Sequence, residues 1–323
     1  MKKKFILLLL AVSFLLCACS NTSNNTSLNY TDVLFDTVIS IDIYDNVDDE
    51  LLTGCKELCL KYDSLLSRTS EGSEIYKINH ADGEFITVSP ETLELINQGL
   101  YYSKISDGAF DITIGAVSSL WNFKSEAPIL PSADVISDAI QHIDYTCVEI
   151  KDSKVKLTDP GAMIDLGAIA KGYIADKLKE YLIANGVEHA LINLGGNILI
   201  IGDKADGSQY NIGIQKPFDQ TGQAITSVKV ADTSLVTTGI YERYFEIDSI
   251  RYHHILDPAT GYPCQNNLYS VTIVTESSLN ADALSTTCFL LGLDKGMELI
   301  NKLDGVEALF ITDDYELHYS NNF

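Results

Sequence analysis

The apolar pattern of this chain changes period again and again, and that irregular switching restricts its fold more than any other feature. Val38 to Tyr44 alternates apolar and polar residues, the period of a half-buried strand. Leu51, Cys55, Leu58, Tyr62 and Leu65 then recur at helical spacing. Ser89, Pro90 and Glu91 supply a cap, a first-turn proline and an early acid, which open a helix through about Tyr102. Ser132 opens another helix, carrying Val135, Ile136, Ala139, Ile140 and Ile143. "CVEIKDSKVKL" predicts a hairpin turning near Asp152 and Ser153. "MIDLG" predicts a short strand running straight into a helix from Ala168 to Asn185, with Gly186 at its C′ position. "HALINLGGNILIIG" reads as one apolar strand interrupted at Gly195 and Gly196 by a bulge or a close backbone approach. More strands are expected around Asn211–Gln215, Ser227–Val230, Tyr244–Ile247 and Ser270–Thr275. A helix from Asn280 to Leu291 ends at Gly292, and Val306–Thr312 with Tyr315–Tyr319 closes the chain as a hairpin. Strands and helices intermingle without βαβ regularity or an internal repeat, so the expected class is α+β with mixed or antiparallel sheets.

With 323 residues the chain can hold one large domain, or two lobes sharing a cleft. Its first residues read as a leader. Lys2, Lys3 and Lys4 precede an apolar run from Phe5 to Ala18, the charge and length pattern of a secretory signal. The run is shorter than the roughly 20 residues a spanning helix needs. It ends in "LCAC", Leu16 to Cys19, which resembles the bacterial lipobox, where the cysteine is lipidated and becomes the mature first residue. A signal that merely contains cysteine is the other reading. The polar stretch after Cys19, through Asn29, reads as a flexible tether. The expected organisation is a lipoprotein signal over residues 1–18, a lipidated Cys19 and tether over 19–29, and a folded body over 30–323, held at the outer face of the cell membrane.

Removing the three lysines of residues 1–18 takes the formal charge from −23 to −26. Such acidity argues against nucleic acid as a partner, and an anionic ligand would be repelled unless a cation stood between. Cys55, Cys59, Cys147, Cys264 and Cys288 show no metal spacing, and Cys55 with Cys59 reads as a helical core pair.

Four stretches could carry chemistry. In "NADALSTTCFLLG", Asp282 and Thr286 stand i, i+4 on one helix face, where two hard oxygens could meet Mg²⁺ or Ca²⁺. Spacing alone fits better with an acid favoured by the helix dipole and an exposed threonine. "IDLGAIAKGYIADKL" turns through Gly167 into a helix whose first amides suit an anion, with Lys171 one turn in; an ordinary strand–helix connection is the plainer alternative. "SDGAFDITIGAVSSLW" sets Phe110, Asp111 and the sole tryptophan near a turn, to grip a flat heterocycle or to serve as core. In "YHHILDPATGYP", Asp257, Pro258 and Gly261 make a rigid turn beside His253 and His254. If this is a strand, one histidine faces a cleft, where it can take a proton from a hydroxyl, and the other does not.

The order of "SDGAFDITIG", "IDLGAIAKGYIAD", "NLGGNI", "TTGIYERYF", "HHILDPATGYP" and "ADALSTTCFLLG" resembles the FAD:protein FMN transferases, the ApbE-like flavin transferases, over roughly Leu34 to Gly292. The resemblance implies two lobes around a flavin-binding cleft, FAD as substrate and Mg²⁺ as metal. FMN would pass to a Thr or Ser hydroxyl on an acceptor protein, an electron-transfer protein with a flavinylation motif, with release of AMP. It makes Asp282, Thr286 and the backbone carbonyl of Ala168 the metal ligands. It gives FAD contacts to Phe35, Ala109, Phe110, Asp111, Asp165, Lys171, Ile255 and Leu256. His254 takes the place of the base that activates the acceptor hydroxyl, with Asp257 in the same catalytic block. Two departures stand out: "FDT" at Phe35–Thr37 where the family often has "MGT", and Thr69 where it tends to carry an aromatic. Two other functions fit these residues: a metal-dependent FAD pyrophosphatase giving FMN and AMP, and a surface lipoprotein that binds flavin without catalysis.

Overall fold

The computed structural model describes residues 27–125, 127–220 and 222–323. The expected signal segment, Cys19 and the tether up to residue 26 lie outside the described residues.

β1 (Leu28–Leu34) and β2 (Thr37–Ile43) form a hairpin whose turn residues, Phe35 and Asp36, both take positive φ, at 54° and 62°. A pair of left-handed residues makes the turn whose twist matches the strands. β3 (Ile86–Thr87), β4 (Val148–Lys151) and β5 (Lys154–Leu157) make a small sheet of their own. β6 (Ala190–Leu194) and β7 (Asn197–Ile201) form another hairpin, and β8 (Tyr210–Gln215) and β9 (Ala224–Val230) a further one. β10 (Ser234–Gly239) follows, then the small pair β11 (Tyr244–Ile247) and β12 (Ile250–His253). β13 (Leu268–Thr275), β14 (Val306–Thr312) and β15 (Leu317–Tyr319) end the chain. The main sheet runs β1-β2-β6-β7-β10-β13-β14-β15. Every neighbouring pair in it is antiparallel. With its helices, this is the expected α+β class.

One face of the sheet is covered by the helices Glu50–Leu66, Ala170–Ala184 and Ser278–Ile300. Ile39, Ile41, Ile192, Ile273 and Phe310 pack there with Cys55, Cys59, Leu178 and Phe289, all fully buried. On the other face β8 and β9 lay Tyr210, Ile214 and Val230 over Ile200, Leu235, Leu309 and Ile311. Burial on both faces explains why "NILII" is apolar without alternation. A third, smaller core gathers Trp121, Val117, Ile136, Ala139 and Leu256.

Several expectations need correction. The expected tether ran through Asn29, but Leu28 and Asn29 already belong to β1, paired with Ile43 and Asp42, because the sheet edge satisfies their backbone groups. "HALINLGGNILIIG" is not one interrupted strand. Gly195 and Gly196 take φ of 65° and 90° and reverse the chain as a tight hairpin, a turn that glycine adopts without a steric cost. "MIDLG" is extended but makes only a single bridge, Met163 to Ile114, and the helix starts at Ala170 rather than Ala168. The helix after Ser132 stops at Ala139, with a 3₁₀ turn over Ile140–His142. Gly292, at φ 76° and ψ 176°, breaks the last helix, yet the chain resumes helix to Ile300.

Candidate functional site

The site begins where two helices nearly touch. Gly172 lies in the first turn of the Ala170–Ala184 helix against the start of the Ser278–Ile300 helix. A Cβ there would meet the Ser278 carbonyl and stand 2.7 Å from Leu279 Cα. Asp176, one turn on, caps that second helix: its carboxylate accepts from the Ser278 and Leu279 amides at 2.8 and 3.0 Å and from Ser277 Oγ at 2.9 Å. The close crossing lets the Gly172 amide donate to Asp282 Oδ2 at 2.9 Å. Gly172 is the third residue of its helix, so its amide is one of those that have no partner within the helix, and Asp282 takes it up. The Ala168 carbonyl stands just ahead of the helix and accepts no hydrogen bond among the described contacts.

Asp282 is buried, 3% exposed, and burial raises its carboxyl pKa, opposed by the charge of Lys171. Lys171 Nζ stands 3.7 Å from Asp282 Oδ2 and 3.5 Å from the Gly167 carbonyl. Thr286, one turn beyond Asp282, lies 3.1 Å from Thr238 Oγ1 on β10, and Thr238 also meets Ser285 Oγ at 2.8 Å. One carboxylate, one hydroxyl and one unpartnered carbonyl are hard oxygens that fit Mg²⁺ or Ca²⁺. Among the described residues no group of three or more His, Cys, Asp or Glu could hold a metal. A cation here would rest on a single carboxylate and neutral oxygens, the sparse protein set typical of Mg²⁺ shared with a phosphate substrate.

The two histidines part company at the end of β12. His253 is buried and satisfied: Nε2 donates to the Cys264 carbonyl at 3.1 Å and Nδ1 accepts from the Ile255 amide at 3.3 Å. Burial lowers its pKa to about 4. His254, just past the strand, is half-buried, and its amide and Nδ1 both reach the Arg243 carbonyl, at 3.1 and 3.2 Å. A carbonyl only accepts, so the proton of the neutral ring sits on Nδ1 and Nε2 keeps a lone pair. Desolvation, and after it the Arg243 charge, pushes the His254 pKa down to about 3, with Lys171 a lesser contributor. The ring is therefore neutral at physiological pH. Lys171 also acts on Asp282, which puts histidine and carboxylate within the field of one ammonium.

The turn after His254 is built as the residue types suggest. Asp257 Oδ1 accepts from the Ala259 amide at 2.9 Å and its carbonyl from Gly261 at 2.8 Å. Trp121 Nε1 donates to the Gly261 carbonyl at 3.1 Å, and the Trp121 ring stacks with Phe123 at 5.6 Å. Asp257 thus holds the turn, and its carboxylate makes no hydrogen bond to His254 among the described contacts. Ile255 and Leu256 run buried beside it, at 4% and 7% exposure.

The other expected residues divide. Asp165 Oδ2 meets Ser118 Oγ at 2.7 Å and Arg68 Nε at 3.2 Å, and its Oδ1 accepts from the Gly167 amide at 2.9 Å. The stretch after Asp111 runs alongside, since the Asp165 amide donates to the Ile112 carbonyl at 2.8 Å. Asp111 itself is buried, and its oxygens are taken by Thr113 and by the Tyr145 amide. Phe110 is buried against Tyr102, while Ala109 is half-buried. Phe35 sits in the β1–β2 turn, which is fastened to the residue just ahead of β11, where Arg243 Nη2 donates to the Asp36 carbonyl at 3.2 Å. Lys124 pairs with Asp36 at 2.6 Å. Sequence reasoning passed over Arg68, Arg243, Thr238 and Ser285 as site residues. "TTGIYERYF" carried the only signal for two of them, hydroxyls and a glycine ahead of the histidines.

Residues 35–310 match the model of the ApbE family. The chain belongs to the ApbE family. A relative from Klebsiella pneumoniae, named FAD:protein FMN transferase, is 37% identical over 302 residues, covering 93% of each chain. One of the same name from Treponema pallidum is 36% identical over 81% of this chain and 77% of its own. Among solved ApbE structures, the Thermotoga maritima protein superimposes with a TM-score of 0.85 at 32% identity, over 92% of this chain and 98% of that one. The flavin transferase ApbE from Vibrio cholerae gives 0.81 at 27% identity, over 92% and 98%.

Proposed function

We propose that this protein is an FAD:protein FMN transferase. It moves FMN from FAD to a Ser or Thr hydroxyl of an acceptor protein, releases AMP, and uses Mg²⁺ held by Asp282, Thr286 and the Ala168 carbonyl. The observation that carries this reading is the company Lys171 keeps: it stands 3.7 Å from the buried Asp282 carboxylate, and its charge also acts on His254, a neutral histidine whose Nε2 makes no hydrogen bond among the described contacts. A dinucleotide held there would set its pyrophosphate against the cation and its FMN phosphorus within reach of a hydroxyl beside the histidine.

The chain's own groups account for the rest. His254 Nε2 takes the acceptor hydroxyl proton as oxygen attacks the FMN phosphorus, a step worth ~10²–10⁴-fold. The new O–P bond forms as the bond to AMP breaks. The Arg243 carbonyl keeps the imidazole in the accepting tautomer. Lys171 offsets phosphate charge that a chain this acidic would otherwise repel. Asp257 keeps the turn rigid, so that His254 is held in place rather than assisted by a second base. When bound, Mg²⁺ would neutralise the pyrophosphate and polarise the scissile bond.

The setting belongs to the same proposal. Lys2–Lys4, the apolar run and "LCAC" support a lipid anchor at Cys19 on the extracytoplasmic face. Among the described residues no helix is long and apolar enough to cross a membrane. The acceptor would then be an electron-transfer protein exposed on that face.

The test is mass spectrometry of a candidate acceptor incubated with FAD and Mg²⁺. One added FMN with stoichiometric AMP is expected, lost with chelator or in His254→Ala while FAD still binds. AMP release that ignores the acceptor would make the protein a pyrophosphatase, and FAD held unchanged would make it a binding protein.

A further inference from the structure

Three hydroxyls and one carbonyl lie in a row beside the cation site, and proton counting fixes their direction. Each hydroxyl carries one hydrogen and two lone pairs, whereas a carbonyl can only accept. Ser285 Oγ stands 2.9 Å from the Asp282 carbonyl oxygen, so its one proton is spent there. Ser285 is fully buried, closed off from the bulk solvent. Its contact with Thr238 Oγ1 at 2.8 Å must therefore be donated by Thr238. Thr238 then has no proton left for Thr286, 3.1 Å away, and Thr286 must donate to it.

We infer that Thr238 and Ser285 are positioning residues for the Thr286 hydroxyl: the one-way relay Thr286→Thr238→Ser285→Asp282 carbonyl draws the Thr286 proton inward and leaves its lone pairs for a divalent cation. This rests on the reading of Asp282 and Thr286 as cation ligands. The relay also removes a competitor. A helical threonine ordinarily turns its hydroxyl onto the carbonyl three or four residues back, which for Thr286 includes the Asp282 carbonyl, and Ser285 already occupies it. Thr238 comes from β10 and the other three groups from the helix laid over the sheet, so the orientation is set by how strand and helix pack.

The test is binding of Mn²⁺ alone to the full chain, followed by electron paramagnetic resonance, with thermal melts of each variant to verify folding. Thr238→Val keeps the shape and removes the hydroxyl; Mn²⁺ affinity should fall roughly tenfold, as for the loss of an outer-sphere ligand partner. Thr238→Ser should restore it. Ser285→Ala should weaken binding in the same direction, and carries the test if the valine variant does not fold. Asp282→Ala should abolish binding. If Asp282→Ala abolishes it while Thr238→Val and Ser285→Ala do not weaken it, the relay is wrong and the cation reading stands. Equal losses in Thr238→Val and Thr238→Ser would assign Thr238 to packing and overturn the relay. Undiminished binding in Asp282→Ala would remove the cation reading and the relay with it.

Discussion

Gly172→Ala tests whether the site depends on the near-contact of two helices. Two effects compete. Alanine is the better helix former by about 1 kcal/mol, which alone would stabilise the Ala170–Ala184 helix. Against it, the new Cβ would meet the Ser278 carbonyl and lie 2.7 Å from Leu279 Cα, both backbone atoms of a helix start that Asp176 holds in place. Overpacking of this kind costs roughly 1–3 kcal/mol. The helices must separate, and the Gly172 amide then loses Asp282 Oδ2, leaving a buried carboxylate short of a donor at a further ~1–3 kcal/mol. The net expectation is a loss of roughly 1–5 kcal/mol, read from urea unfolding as a lower midpoint at unchanged slope. Divalent affinity should fall in the same variant, because Asp282 is carried on the displaced helix. Stability at or above wild type, with Mn²⁺ binding intact, would show that the crossing has room to spare and that the placement of Asp282 does not depend on it.

Other outcomes follow from single groups. Asp176→Ala orphans the Ser278 and Leu279 amides at the head of the last helix and should cost about 2–3 kcal/mol in chemical unfolding, with Asp176→Asn recovering part of it. His253 is depressed from 6.5 to about 4, so as pH falls the unfolded chain takes up a proton that the folded chain refuses. Its contribution is intact above about pH 6.5 and is lost progressively towards pH 4, by about 3 kcal/mol. Unfolding free energies of wild type and His253→Asn across that range should converge as pH falls, and parallel curves would contradict the assignment.

Much of the fold was legible wherever one local signal settled the matter. The Ser89-Pro90-Glu91 start opens its helix, with Ser89 Oγ accepting from the Thr92 amide, and Asp152 turns its hairpin at φ 54°. Failures came where two local readings share one pattern. A pair of glycines inside an apolar run can be a bulge or a turn, and only the pairing of Leu194 with Asn197 decides for the turn. "SLVTTG" has no polar alternation because β10 lies inside the sheet between β7 and β13, and such a run cannot be told from loop or helix by period. Leu28 and Asn29 look like tether by composition, yet edge pairing to β2 outweighs composition.

For the candidate site the limit is of another kind. Asp282 and Thr286 were visible as a spaced pair because a helix puts i and i+4 together without help from the rest of the chain. Arg243 could not be found in that way, since what it does depends on its backbone carbonyl, which every residue has. Its use by His254 follows from β11 and β12 pairing Tyr244 with His253, so that the next residue outward on each strand meets its partner just beyond the ladder. Ser285 reads as one more small residue of a buried helix face, and only the approach of Thr238 from β10 turns it into part of a directed chain of hydroxyls. Residues that touch a ligand themselves carry a chemical type a reader can look for. Residues that orient them are ordinary types made specific by register, and register belongs to the packed sheet and helix rather than to any single stretch of chain.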